Sequence, residues 1–152
     1  METGKRIRIK ELLETDKERE KVLIKGWVRT RRDSRGGFSF LEINDGSCLR
    51  NMQVIADHSL ESFQPSNHLL TTGSCVSIHG NLVRSQGKEQ GVELQSRQIH
   101  VYGSASAETY PLQKKRHSFE FLREIAHLRP RTNTFGAVMR VRNRLAYSIH
   151  KF

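Results

Sequence analysis

The segment Phe38-Ser-Phe-Leu-Glu-Ile-Asn44 reads as a strand whose side chains alternate between two faces, so that Ser39, Leu41 and Ile43 share one face while Phe38, Phe40 and Glu42 share the other. The aliphatic set must face a core. Two phenylalanines then stand on a partly polar face, where an aromatic ring can stack on an unpaired base; every base has a π-face, and one stack is worth roughly 1–3 kcal/mol. The competing use of either ring is to plug one end of a barrel, which is the preferred reading for Phe38. Upstream, Arg29, Arg31 and Arg32 end a β-rich run beside the turn cluster Asp33-Ser-Arg-Gly-Gly37. Guanidinium groups there can grip phosphates or base edges, although a solvated charged strand end is the commoner use of such residues. Gln53 carries a donor and an acceptor that together match a pyrimidine edge, a signal without weight in isolation.

Other chemistries are poorly served. The seven histidines form no i,i+4 pair and no cluster with cysteine, and Cys48 and Cys75 have no CxxC partner, so no metal site and no disulfide framework is expected. Between Gly80 and Gly87 lie six residues where a P-loop needs four, and Glu89 follows Lys88 where that motif has Ser or Thr. No nucleophile or acid/base pair stands out. The start of the chain is charged and lacks an apolar leader segment, and no stretch is long and apolar enough to span a bilayer, which points to a cytoplasmic protein with reduced thiols.

The 152 residues suffice for one compact domain and an appendage. Lysine and arginine number 26 against 16 acidic residues, giving a formal charge of +10 and favouring a polyanionic partner. That charge is uneven: residues 1–36 hold 12 basic and 7 acidic groups, residues 37–109 hold 4 and 7, and residues 110–152 hold 10 and 2. The middle of the chain is therefore acidic.

Positioning the candidate residues requires strands. Lys21 to Arg32 reads as a long first strand, Phe38 to Asn44 as a second, and Leu49 to Ala56 as a third, joined to the second by the turn Asp45-Gly46-Ser47. Residues 57–72 contain Pro65 and scattered apolar positions, which fits a short helix or two turns. Cys75 to Val83 and Val92 to Val101 supply a fourth and a fifth strand, with Gly80 marking a bulge or a sharp bend. Five short strands with a helical insert after the third make the pattern of an all-β OB-fold, a five-stranded Greek-key barrel; a small open sandwich also fits. The barrel domain is assigned to 1–103, although residues 1–20 give no clear signal of their own. A hinge covers 104–133, and a C-terminal α-helical segment covers 134–152, where Phe135, Val138, Met139, Leu145, Ile149 and Phe152 recur near helical spacing.

These residues resemble the class II aminoacyl-tRNA synthetases of the aspartate, asparagine and lysine group. Gly26-Trp27-Val28, Arg31-Arg32-Asp33, Phe40 to Asp45-Gly46, and Gln53-Val54 follow that family's GWV, RRD, F-x-x-x-x-D-G and QV pattern in order. The text from Tyr110 to Val138 is similar to the hinge and catalytic-domain entrance of the asparagine branch. The resemblance implies an anticodon-binding barrel. Phe40 is expected to stack on the central uridine, Arg32 and Gln53 to contact that nucleotide, and Glu93 to contact the first anticodon base, with Arg31 nearby.

The same resemblance implies an asparagine-specific tRNA as partner. The full-length parent would be a homodimer using ATP and magnesium to attach asparagine. The chain ends within what resembles the motif 1 helix, and motifs 2 and 3 are absent from it, so alone it is expected to bind tRNA without activating the amino acid, to need no cofactor, and to leave its own oligomeric state open. Two rival readings are a free-standing, sequence-tolerant single-strand binder and an inert truncation product that self-associates through its apolar helix. The acidic middle segment counts against the first rival.

Overall fold

The computed structural model describes residues 4–85, 87 and 90–152, and falls into two compact units, Met1–Lys114 and Lys115–Phe152. In the first unit a helix α1 (Ile9–Leu13) precedes strands β1 (Arg19–Asp33), β2 (Phe38–Asn44) and β3 (Met52–Asp57). A helical turn α2 (Phe63–Ser66) and a 3₁₀ turn (Asn67–Leu69) follow, then β4 (Cys75–Arg84) and β5 (Val92–Gly103). The strands close into a barrel in the order β1-β2-β3-β5-β4. Its fifteen residues let β1 pair antiparallel with β4 along its first half and with β2 along its second. The circle is completed by a short parallel pairing of β3 with β5, Val54 opposite Leu94 and Ile55 opposite Gln95. The chain is therefore an OB-fold barrel, and the open-sandwich alternative is excluded by closure.

Inward residues of all five strands meet in one core. Ile24, Leu41, Ile43, Val54, Val76, Ile78 and Leu94 are fully buried in it, and each buried aliphatic side chain contributes roughly 1.5–3 kcal/mol. Gly80 sits where the register of β4 on β5 shifts. A Cβ there would lie 2.2 Å from the Gln95 carbonyl oxygen, so only glycine allows the two backbones this approach. The expected bulge is in place.

Two elements depart from the sequence reading. First, α1 lies within the stretch that gave no signal, yet Ile9 and Leu12 are fully buried in the barrel core. Five residues are too few to hold a helix alone. The segment is pinned instead: Ile7 donates its backbone N–H to the Leu23 carbonyl at 2.9 Å, and Ile9 N–H donates to Asp45 Oδ2 at 3.0 Å. Second, β3 starts at Met52 rather than Leu49. The Asn44 side-chain amide donates to the carbonyls of Cys48 and Arg50 and to Asn51 Oδ1, which holds residues 48–51 as a turn. Gly46, at φ +78°, takes the left-handed position of that connection.

The second unit contains α3 (Phe119–Glu124), a 3₁₀ turn (Arg129–Arg131) and α4 (Asn133–Lys151). The Ser118 and Thr132 hydroxyls cap the two helices by accepting from the backbone N–H of Phe121 and Phe135. Phe119 and Phe135 meet edge to face with centroids 5.8 Å apart. Val138, Val141, Leu145 and Ile149 of α4 are exposed. Among the described residues no helix is long and apolar enough to cross a membrane.

Candidate nucleic-acid interface

The burial pattern of β2 alternates at every residue, with Ser39, Leu41 and Ile43 buried and Phe38, Phe40, Glu42 and Asn44 facing outward and half-exposed. Strand β3 repeats this, burying Met52, Val54 and Ala56 and turning out Gln53 and Ile55. Registers across the barrel place these outward residues in rows. Arg32, Phe40, Ile55 and Gln95 form one row, and Thr30, Glu42 and Gln53 form the next. Phe40 and Gln53 are thus diagonal neighbours on one outer surface, within reach of a common ligand.

The Phe40 ring is half-buried among outward residues and not sealed in the core. Phe38 packs its ring edge against it, with centroids 5.1 Å apart and an interplanar angle of 84°. The Arg32 guanidinium carbon stands 4.7 Å from the Phe40 ring centre, a cation–π arrangement. Phe38 belongs to this outer surface, beside the loop at Gly36, and not to the barrel end where the sequence reading placed it.

Arg31 departs from the other candidates. A bulge between Val28 and Thr30 flips the parity of β1, so Arg31 pairs with inward Leu41 and Arg32 with outward Phe40. Arg31 is turned to the barrel end. There its guanidinium donates to both Asp33 carboxylate oxygens, at 2.8 and 3.2 Å, and to the Asn67 carbonyl at 2.6 Å, and it lies 5.8 Å from the Phe63 ring centre. Ser39, fully buried, donates to Asp33 Oδ1 at 2.6 Å and meets His58 Nε2 at 2.8 Å. The Arg31 hydrogen bond, reinforced by Ser39, holds the Asp33 carboxyl below its ordinary range. This network fixes the 33–37 loop beside the outer face. Gripping a ligand phosphate with Arg31 would require dismantling it.

Glu93 is also differently placed from its expected role. On the outward parity of β5, between buried Val92 and Leu94, it is only 6% exposed. Its Oε2 accepts from Gln53 Nε2 at 3.0 Å and from Ser85 Oγ at 2.9 Å. It stands behind Gln53 instead of at the open surface. Nothing in the sequence flags Ser85, which reads as an ordinary turn residue. Asp45, by contrast, reads from the sequence as turn chemistry, and it accepts from Ser47 N–H, Ser47 Oγ, Ile9 N–H and Arg6 Nη2. Burial pushes its carboxyl upward, but these donors outweigh it, and the net shift is downward. Among the described residues no group of three or more His, Cys, Asp or Glu could hold a metal ion.

The closed five-stranded barrel matches what comparison with other proteins finds. The tRNA anti-codon model, an OB-fold nucleic acid binding domain, matches residues 22–102. An asparagine-tRNA ligase of Syntrophobacter fumaroxidans is 58% identical over 131 residues, 86% of this chain and 28% of that protein. Another from Parabacteroides distasonis is 52% identical over 155 residues, covering 100% of this chain and 32% of that protein. The crystal structure of asparaginyl-tRNA synthetase from Pyrococcus horikoshii superposes with a TM-score of 0.76 at 25% identity, covering 96% of this chain and 34% of that one. The chain spans about a third of the length of the curated relatives it matches. Barrel closure, outward aromatic pair and family match over residues 22–102 agree, and the chain belongs to the tRNA anti-codon family of OB-fold nucleic acid binding domains.

Proposed function

We propose that this chain is the anticodon-binding part of an asparagine-tRNA ligase and that its ligand is the anticodon loop of an asparagine-specific tRNA in the cytoplasm. The observation that carries the reading is the outward Phe40 ring, flanked by Arg32 on its own row and by Gln53 on the diagonal. The relatives named asparagine-tRNA ligase support the tRNA class. On this reading Phe40 stacks on the central base, Arg32 supplies positive charge beside it, and Gln53 reads the base edge. The guanidinium over the ring is no obstacle. An exposed cation–π contact is worth about 0.5–1 kcal/mol, less than the roughly 1–3 kcal/mol of a base stack, so an incoming base displaces or sandwiches it. Arg31 and Glu93 act indirectly, by holding the loop and the glutamine.

The attachment of asparagine, with its ATP, magnesium and homodimer, is assigned to the parent protein as a whole, because this chain spans about a third of the length of the relatives named asparagine-tRNA ligase. The exposed apolar residues of α4 fit a segment that continues into such a parent.

Titrating this chain with two anticodon stem-loops that differ only in the central base tests the reading. A preference for uridine is expected. Indifference to that base would favour a sequence-tolerant single-strand binder instead.

A further inference from the structure

We propose that Ser85, acting through Glu93, locks the side-chain amide of Gln53 in one orientation and thereby sets which pyrimidine the outer face accepts. The identity of the favoured base, uridine, rests on the anticodon reading above; the lock itself rests on the geometry behind Gln53.

Gln53 donates an Nε2 hydrogen to Glu93 Oε2 at 3.0 Å, so the end of the amide facing β5 is its nitrogen. The carbonyl oxygen is therefore turned away from β5, toward the open side. Ser85 donates its hydroxyl to that same carboxylate oxygen at 2.9 Å, and Glu93 is 6% exposed, so the two donors hold a nearly dry carboxylate in place. The backbone behind is fixed as well. Gln53 N–H donates to Gln90 Oε1 at 3.3 Å and Gln90 Nε2 donates to the Asn51 carbonyl at 3.0 Å, so one side chain patches the edge of β3 just before it pairs with β5.

This matters for base choice because the two pyrimidines present reversed patterns. Uracil offers an N3–H donor beside a carbonyl acceptor, and cytosine offers an N3 acceptor beside an amino donor. An amide free to turn over satisfies either base equally well. With the base's place fixed by its stack on Phe40, an amide held by a carboxylate satisfies only one, and the other base leaves polar groups unpaired. Ser85 and Glu93 are thus positioning residues, while Gln53 touches the ligand.

The test compares Ser85→Ala, Ser85→Thr, Glu93→Gln and the unaltered chain, each titrated with stem-loops carrying uridine or cytidine at the central position. The unaltered chain is expected to prefer uridine by about tenfold or more, the size of one lost two-bond contact. In Glu93→Gln the replacement amide can donate or accept, Gln53 turns freely, and the preference falls to within about twofold of parity. Ser85→Ala reduces the ratio severalfold, and Ser85→Thr, which keeps the hydroxyl, restores it. Thermal melts identify a variant that fails to fold; should Glu93→Gln do so, the Ala/Thr pair at the half-buried loop position 85 decides. An unaltered chain without preference overturns the anticodon reading itself. A preference that survives undiminished in Ser85→Ala and Glu93→Gln, or equal losses on both loops with the ratio intact, overturns the lock alone.

Discussion

Replacing Asp45 with asparagine isolates the device that attaches the amino-terminal helix to the barrel. The Asp45 side chain is 1% exposed. One of its carboxylate oxygens accepts from Ser47 N–H at 2.9 Å and Ser47 Oγ at 2.5 Å, the other from Ile9 N–H at 3.0 Å and Arg6 Nη2 at 3.2 Å. Asparagine keeps one acceptor and turns an amino group toward the other pair of donors. Hydrogen bonds to a charged acceptor are worth about 1.5–3 kcal/mol each and add incompletely, and the Arg6 contact is half-exposed and counts for little, so a loss of about 2–4 kcal/mol is expected near pH 6. The effect depends on pH with a definite sign. The folded-state pKa of Asp45 lies below the ordinary carboxylate value of 3.8, so its stabilisation is fully present above the unfolded pKa and disappears as pH falls through the folded one. The gap between native chain and Asp45→Asn therefore narrows from pH 6 to pH 3. Urea unfolding followed by far-UV circular dichroism and by the single tryptophan, Trp27, measures it. A difference below about 0.5 kcal/mol at pH 6, or one that stays constant down to pH 3, would refute the reasoning.

Other outcomes follow from the same geometry. Gly80→Ala puts a methyl group 2.2 Å from the Gln95 carbonyl oxygen, so β4 and β5 must separate, with an expected cost of about 2 kcal/mol or more in thermal unfolding. The neighbouring arginines should part company. Arg32→Ala weakens binding of a stem-loop and lowers the salt dependence of log K by about one phosphate contact, while leaving the melting temperature nearly unchanged. Arg31→Ala does the reverse, lowering stability by about 1–3 kcal/mol through loss of the Asp33 and Asn67 contacts, at little change in salt slope.

How much of this was visible in the residues differs by element. Strand β2 was legible to the residue because nothing interrupts its alternation, and it carries the ring on which the interface depends. Strand β1 was legible as a strand but not in its facing: the bulge at Arg29 reverses the parity, and alternation counted from Val28 cannot reveal which of two adjacent arginines turns outward. Helix α1 was missed because its stability comes from Asp45 and from the core cavity its Ile9 and Leu12 fill, not from helix propensity; the spacing of Ile9 and Leu12 was the one available signal. The support behind Gln53 was beyond reach. Glu93 lies 40 residues away along the chain and meets it only through the parallel β3–β5 closure, and Ser85 sits in a connection with no composition cue for its partner.

The central claim is that the Phe40 ring is the surface on which the anticodon's central base stacks, and the affinity of Phe40→Ala for a uridine-centred anticodon stem-loop tests it most directly. A loss of roughly 1–3 kcal/mol, about fivefold to 150-fold in Kd, is predicted, with the fold verified by circular dichroism. Binding equal to that of the unaltered chain would contradict it.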